Sequence, residues 1–420
     1  MAITLADVKF FHSQVNDDSD NNGGPISNKE VDKNAGYSIF PIVTKEEASQ
    51  GIIRYRKIFI TSADRWGYNL YYTLLKPPAS QFKMYIRPGT FWDTQADIKN
   101  ASDWYGCGKL IENADRETHL LNTEFVDDNY TFNKNDIIAV GIFDNNQIKF
   151  TNVRYYTVKG FRKALSYNSI PDGSYIVIDN PDQALPGHIS TYNKSYDING
   201  TEQIKNNKKH EINDYDITTT SPQGDVTFNG QLVRIHSPIE GSDTVEDSPQ
   251  WIQGNKLKIE TLEQLMENYI PDSTYVGRIL RLGDLKPGIT DIQVNSPSGY
   301  VNKYKMSFNT LATIEESWTI TFTSSTEFIC EGQHVGNVGS GNISSVFQPT
   351  NPTFNHPYFI IKTDFWEGTF AANDTVTFTT LAAAKAVWLK LVIPPGTKES
   401  QLIEWSVFWD IMTEDITIDK

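Results

Sequence analysis

Alternation with a period of two runs through the C-terminal third of this sequence. In SWTITFT, Trp318, Ile320 and Phe322 alternate with Thr319, Thr321 and Thr323. In AVWLKLVIPPGTKESQLIEWSVFWDI, the odd positions carry Val387, Leu389, Leu391 and Ile393. Beyond Pro394-Pro395-Gly396 they carry Ile403, Trp405, Val407, Trp409 and Ile411. Successive side chains of a strand point to opposite faces, so such a run forms one apolar face only as a sheet member. TEFICEG, HPYFIIKTDF and DTVTFTT repeat the pattern between turn residues. Residues 301–420 therefore read as an antiparallel β-sandwich. Trp318, Trp366, Trp388, Trp405 and Trp409 read as core or subunit-contact residues.

The first 165 residues read as a second β-rich domain with short helices. Thr44-Lys45-Glu46-Glu47 is a capping box that opens a helix, and Gly51 closes it. GIIRYRKIFI follows as a strand, with Ile53, Tyr55 and Phe59 on one face interrupted by Lys57. GYNLYYTLL, FKMYIR, IIAVGIF and NVRYYTVK are further strands, and TQADIKNASDWYG holds a short helix. On such strands Arg56 and Lys57 are expected to pair with acidic neighbours. The fold class is thus mainly β and multidomain. Aromatics at 12% with only 39% hydrophobic residues suit pleated, half-buried surfaces.

Between 166 and 300 the pattern thins. One short strand, Tyr175 to Ile178, lies among turn signals, and residues 180–250 read as an exposed loop or arm. Its basic cluster, Lys205, Lys208 and Lys209, reads as a solvated face. A helix is expected over 261–270: Thr261 caps it, and Leu262, Leu265, Met266, Tyr269 and Ile270 form one stripe before Pro271.

Charge and motif content narrow the chemistry. A net charge of −15 disfavours nucleic-acid binding, which draws its affinity from Lys and Arg on phosphates. Cys107 and Cys330 are too few and too far apart for a disulfide framework and read as buried thiols. The N-terminus lacks a signal-peptide pattern, and no apolar run reaches the ~20 residues of a membrane span. Synthesis in a cytoplasm is expected. None of the seven histidines pairs with another at metal-ligand spacing. GSGN at 339–342 lacks the Lys-Ser/Thr of a phosphate loop, and no GxSxG elbow occurs. A glycosidase carboxylate pair stays open, because sequence hides the separation it needs.

Asp18-Ser19-Asp20-Asn21-Asn22-Gly23 matches the first positions of a calcium loop, with Asp18, Asp20 and Asn22 as candidate ligands. The closing Glu would fall at Lys29, and Glu30 misses it by one. VKFFHSQV before it reads as strand rather than an entering helix. The competing reading is a polar turn. No cofactor is expected.

Two stretches also resemble a little-characterised family encoded in tailed bacteriophages and prophages. At the N-terminus the likeness lies in Ser13 through Asp17, Asp18, Gly23-Gly24 and Ser27, then Phe40-Pro41, Gly51 and Arg56-Lys57-Ile58-Phe59. At the C-terminus it lies in ESWTITFTSSTEFICEGQHVGNVGSG, PTNPTFNHPYFII, FWEGTF, TVTFTT and AVWLKLVIPPG. The likeness covers about the first 60 and last 110 residues. It implies a non-enzymatic virion structural component of the tail, baseplate or neck. Its expected partners are copies of itself and other virion proteins, with no nucleic acid and no membrane. The alternative is a carbohydrate- or receptor-binding fibre module with exposed Trp or Tyr on a glycan. A glycan-degrading enzyme is the third reading, and no motif supports it.

Overall fold

The computed structural model describes residues 7–32, 38–62, 66–76, 82–125, 132, 134–146, 149–166, 175–178, 226–228, 233–236, 252–271, 273–397 and 406–412. The chain is mainly β, built from several antiparallel sheets. It divides into two compact units. The first comprises Met1–Thr73, Pro78–Trp104 and Leu280–Lys420, and the second Leu74–Pro77 and Tyr105–Ile279. These are not the contiguous segments 1–165, 166–300 and 301–420. Pairing between strands hundreds of residues apart makes the first unit discontinuous.

In the first unit, strands β1 (Val8–Val15), β2 (Gly23–Glu30), β3 (Ile52–Ser62), β4 (Gly67–Lys76, whose residues 74–76 belong to the second unit) and β5 (Lys83–Pro88) follow one another. The capping box at Thr44 opens helix α1 (Lys45–Gln50), and α2 spans Gln95–Ile98. The strand Lys385–Ile393 inserts between β3 and β5, giving the order β2, β1, β3, 385–393, β5. Its register on β3 runs unbroken from Lys385↔Ile60 to Ile393↔Ile52. The odd positions Val387, Leu389, Leu391 and Ile393 are buried as the alternation requires. Trp388 on the opposite face is buried too, so both faces are covered. The two closing strands sit in different sheets: Ser406–Met412 joins β4 and Leu280–Leu285.

The same unit holds a five-stranded antiparallel sheet in the order Gly288–Asn295, Thr375–Leu381, Glu316–Phe322, Glu327–Gly332, Gly336–Asn342. One face buries Trp318, Ile320, Phe322, Phe328 and Phe378. Across that face lie two short ladders, Gly299–Val301 with Trp366–Gly368 and Met306–Phe308 with Phe359–Ile361. They supply Phe359 and Ile361, and Phe365 and Phe370 nearby join the same core. The rings interlock: Phe322 stacks on Phe370 at 4.2 Å, and Trp318 meets Phe359 edge-on at 5.0 Å. The layers form a sandwich with one regular sheet and one fragmented cover.

The second unit contains a closed antiparallel barrel. Strand Lys149–Ser166 pairs through its first half with Ile137–Asp144 and through its second half with Ile252–Thr261. From there the ladder continues through Leu120–Phe125, Cys107–Leu110 and Thr274–Arg278 back to Ile137–Asp144. The pairing circuit closes through these six strands, and Val226–Phe228 adds to the second half of Lys149–Ser166 outside it. Leu121, Phe125, Ile138, Val140, Tyr156, Val158, Ile259 and Val276 fill the core.

The helix expected over 261–270 is not formed. Thr261 ends a strand, and the segment after it runs irregularly with its backbone bonded sideways. Leu262 N donates to Thr157 O, Leu265 N to Thr118 O and Tyr269 N to Ala114 O. These bonds replace the i→i−4 ladder of a helix. Leu265 and Tyr269 enter the barrel core, while Leu262, Met266 and Ile270 stay exposed. The strand Tyr175–Ile178 is present. Most of the 180–250 segment, with Lys205, Lys208 and Lys209, lies outside the described residues, as do Ile403 and Trp405.

Candidate functional site

Charged groups converge in the first unit around the loop between β5 and α2, Gly89 to Thr94. Lys57 is central. It points from β3 into the interior and is fully buried. Its Nζ donates to Gly24 O at 2.8 Å, Phe91 O at 3.1 Å and Asp93 O at 3.0 Å. It also lies 2.6 Å from Asp93 Oδ1 as an ion pair. The rings of Phe59 and Trp388 face the ammonium at 5.1 and 5.7 Å. Burial pushes Lys57 down to about 8, with Asp93 opposing the shift. At neutral pH the ammonium remains charged, surrounded by oxygens.

The turn before β2 closes over this centre. Asp17 Oδ1 accepts from Ser19 N and Ser19 Oγ at 2.9 and 2.7 Å, which holds its carboxyl below the ordinary range. Asp18 accepts from Arg54 Nε at 3.2 Å and Arg56 Nη1 at 2.6 Å. Asp20 binds Lys99 Nζ at 2.7 Å. Asn22 Nδ2 donates to Tyr55 O at 2.8 Å and Gln95 Oε1 at 3.0 Å. The three residues weighed as calcium ligands therefore point to different partners. Cations of the chain itself already neutralise the Asp18 and Asp20 carboxylates. The arrangement is that of a polar turn locked onto β3 and α2. Among the described residues no group of three His, Cys, Asp or Glu side chains is placed to hold a metal ion.

A second cluster lies on the other side of the loop. Glu316, on the five-stranded sheet, is buried with a fully covered side chain. Its carboxylate accepts from Ser317 N at 2.9 Å and His334 N at 3.1 Å, and its Oε1 lies 3.1 Å from His334 Nδ1. The His334 ring stacks on Trp92 at 4.4 Å, and Trp92 Nε1 donates to Glu315 O at 2.6 Å. An imidazole oriented by a buried carboxylate is half of an acid–base apparatus, which also needs a nucleophile within ~3 Å of the free nitrogen. Among the described residues no hydroxyl or thiol bonds His334. The pair ties the 332–335 turn to its neighbouring strand.

Pairing of Arg56 and Lys57 with carboxylates follows from their placement on a covered strand, as the sequence indicated. Trp318 and Trp388 are core residues, and Cys107 and Cys330 are buried thiols. Sequence reading missed Trp92, Asp93, Glu316 and His334. One local signal existed: Thr94 and Asp97 form a capping arrangement, Thr94 N donating to Asp97 Oδ2 at 2.8 Å, which places Asp93 just ahead of a helix start. Some of the residues quoted for the resemblance meet here. Gly23 and Lys57 from one end meet Trp388 from the other, and Gly51 meets Pro395. No protein-family model matches the chain, and no curated protein or solved structure matches it.

Proposed function

We infer that this chain is a non-enzymatic structural component of a tailed-phage virion, assembling as a symmetric oligomer in the tail, baseplate or head–tail neck. Its site of action is the particle, after synthesis in the bacterial cytoplasm. One observation supports the reading: Gly23 and Lys57, from the N-terminal stretch that resembles that family, pack against Trp388, from the C-terminal stretch that resembles it. Lys57, Asp93, Asp18, Arg54 and Arg56 hold distant segments together through ion pairs and hydrogen bonds. Removing Asp93 would strand the buried Lys57 ammonium, so this pair resists deformation. Closed rings are a frequent arrangement for homo-oligomers. Immunogold labelling of tailed particles with an antibody against the chain tests the proposal. Gold at the tail or neck is expected, and particles that package none of the chain would overturn it.

A glycan-binding module is the second reading, favoured by Tyr300 and Tyr304, which are 62% and 83% exposed beside Asn302 and Glu367. Exposed aromatic faces among hydrogen-bonding groups suit sugar rings. Saturable glycan binding lost in Tyr304→Ala would support it, and an unchanged isotherm would remove it.

A further inference from the structure

The five-stranded sheet that carries Trp318 ends on the strand Gly336–Asn342, and among the described residues no strand pairs with its outer side. Sheet margins are kept from pairing with other chains by charges, proline or bulges. The margins at β2 and β5 follow this rule, with Pro25, Lys29 and Glu30 on one and Lys83, Arg87 and Pro88 on the other. Gly288–Asn295, at the opposite margin of the same sheet, carries Asp291. GNVGSGN carries neither charge nor proline. From Gly332 through Ile361 the chain holds no Asp, Glu, Lys or Arg, although these make up 21% of the sequence. One protective device is present: Val338 is an extra residue between the pairs Cys330↔Gly339 and Glu331↔Asn337, and Asn337 Oδ1 accepts from Gly339 N at 2.8 Å. The bulge confines regular backbone to Gly339–Asn342. Just beyond, Ile343 N donates inward to Thr326 O, and inward and outward residues alternate along an antiparallel strand. Ser340 is therefore an outward residue: its N–H and C=O point away from the neighbouring strand, and it is exposed.

We propose that this edge pairs antiparallel with the same edge of a second copy of the chain, about a twofold axis at Ser340, joining two five-stranded sheets into one. Across such an axis each segment meets itself, so any charge near the axis would face its own kind. A charge-free edge is the composition that self-pairing requires. Net charge argues against other contacts between copies: at −15, copies that meet through carboxylate-bearing surfaces repel each other. A basic partner would find no carboxylate on this strand, since Glu327 and Glu331 stand one strand inward. The contact is short, Gly339–Asn342 at about 3.4 Å per residue. It is therefore weak between two free chains and strengthened where many copies are held side by side. As a contact between copies it rests on the self-assembly part of the reading above, and on no other part of it.

Sedimentation equilibrium of the full chain over a range of concentrations provides the test. The average mass of the wild-type chain should rise toward that of two copies. Ser340→Lys and Ser340→Glu should each weaken self-association by about fivefold or more, since each puts like charges opposite one another. Both should melt as the wild type does, because Ser340 is exposed. An equal mixture of the two variants should recover association to within about twofold of wild type, lysine then facing glutamate. That recovery separates a contact at this edge from a loss of fold. Thr319→Lys, exposed on the same sheet but two strands from the edge, should leave the wild-type curve unchanged. A wild-type mass that stays constant, Ser340 variants that associate as wild type, or a mixture as weak as its components would overturn the proposal. A monomeric chain that nevertheless labels on particles would remove this contact and leave the virion reading in place.

Discussion

Gly23 rests against the indole of Trp388 so closely that a Cβ on it would sit 2.7 Å from Cη2 and 2.8 Å from Asp93 O. Its φ is +112°, a region that side chains rarely enter. The neighbouring Gly24, at φ +70°, has open space where its Cβ would be. Gly23→Ala should therefore cost about 3 kcal/mol or more through strain and overlap. Gly24→Ala should cost on the order of 1 kcal/mol from backbone strain alone. Denaturant midpoints of the two variants check the contrast, and equal losses would contradict the packing described.

Lys57→Met should destabilise by about 3–5 kcal/mol at neutral pH, because Asp93 and three carbonyls lose their cation. The pH dependence follows from the depressed pKa. Below about 8 the folded and unfolded states both hold the proton. Between about 8 and 10.5 the unfolded chain holds it while the folded chain releases it. The Lys57 contribution to stability therefore rises with pH across that window, with a slope of up to about 1.4 kcal/mol per unit. The difference between wild type and Lys57→Met, measured by denaturation at pH 7, 9 and 10, isolates this group from Tyr72 and the cysteines. Those groups are shifted upward by burial and oppose the trend.

Calcium and EDTA should leave the melting temperature unchanged, because Asp18 and Asp20 already face Arg54, Arg56 and Lys99. Asp18→Asn should cost about 1 kcal/mol, a discounted figure because its side chain is 47% exposed. Calorimetry with and without the ion distinguishes a salt-bridged turn from a metal loop. A calcium-induced rise in melting temperature would show that the turn opens to bind.

The segment after Thr261 offers a direct comparison between neighbours. Leu265 is buried in the barrel and Met266 is exposed. Leu265→Ala should cost about 2–4 kcal/mol and Met266→Ala within about 0.5 kcal/mol. Tyr269→Phe removes the 2.8 Å hydroxyl contact to Tyr156, whose oxygen also accepts from Met266 N at 3.0 Å, and should cost about 1 kcal/mol. A helix with one apolar stripe would make Leu265 and Met266 equally sensitive.

The sequence by itself marked the strands at 52–60, 318–322 and 387–393 and the helix at 45–50. Period two is a property of neighbouring residues, so SWTITFT and the odd positions of 387–393 declared their buried face without reference to a partner. The capping box at Thr44 likewise rests on residues three apart, and Thr44 N to Glu47 Oε2 at 2.8 Å realises it. Tertiary structure alone decided which strands pair. The 385–393 strand lies beside β3 rather than beside its neighbour in sequence, and Lys149–Ser166 bends across two partners to close a barrel. At 261–270 the local helix signal yielded to sideways backbone bonds that bury Leu265 and Tyr269. Lys57 interrupts an apolar face on paper, yet the fold brings four oxygens to it from positions 24, 91 and 93. Alternation and capping depend on separations of a few residues, whereas pairing and charge neutralisation depend on distances that only the closed chain creates.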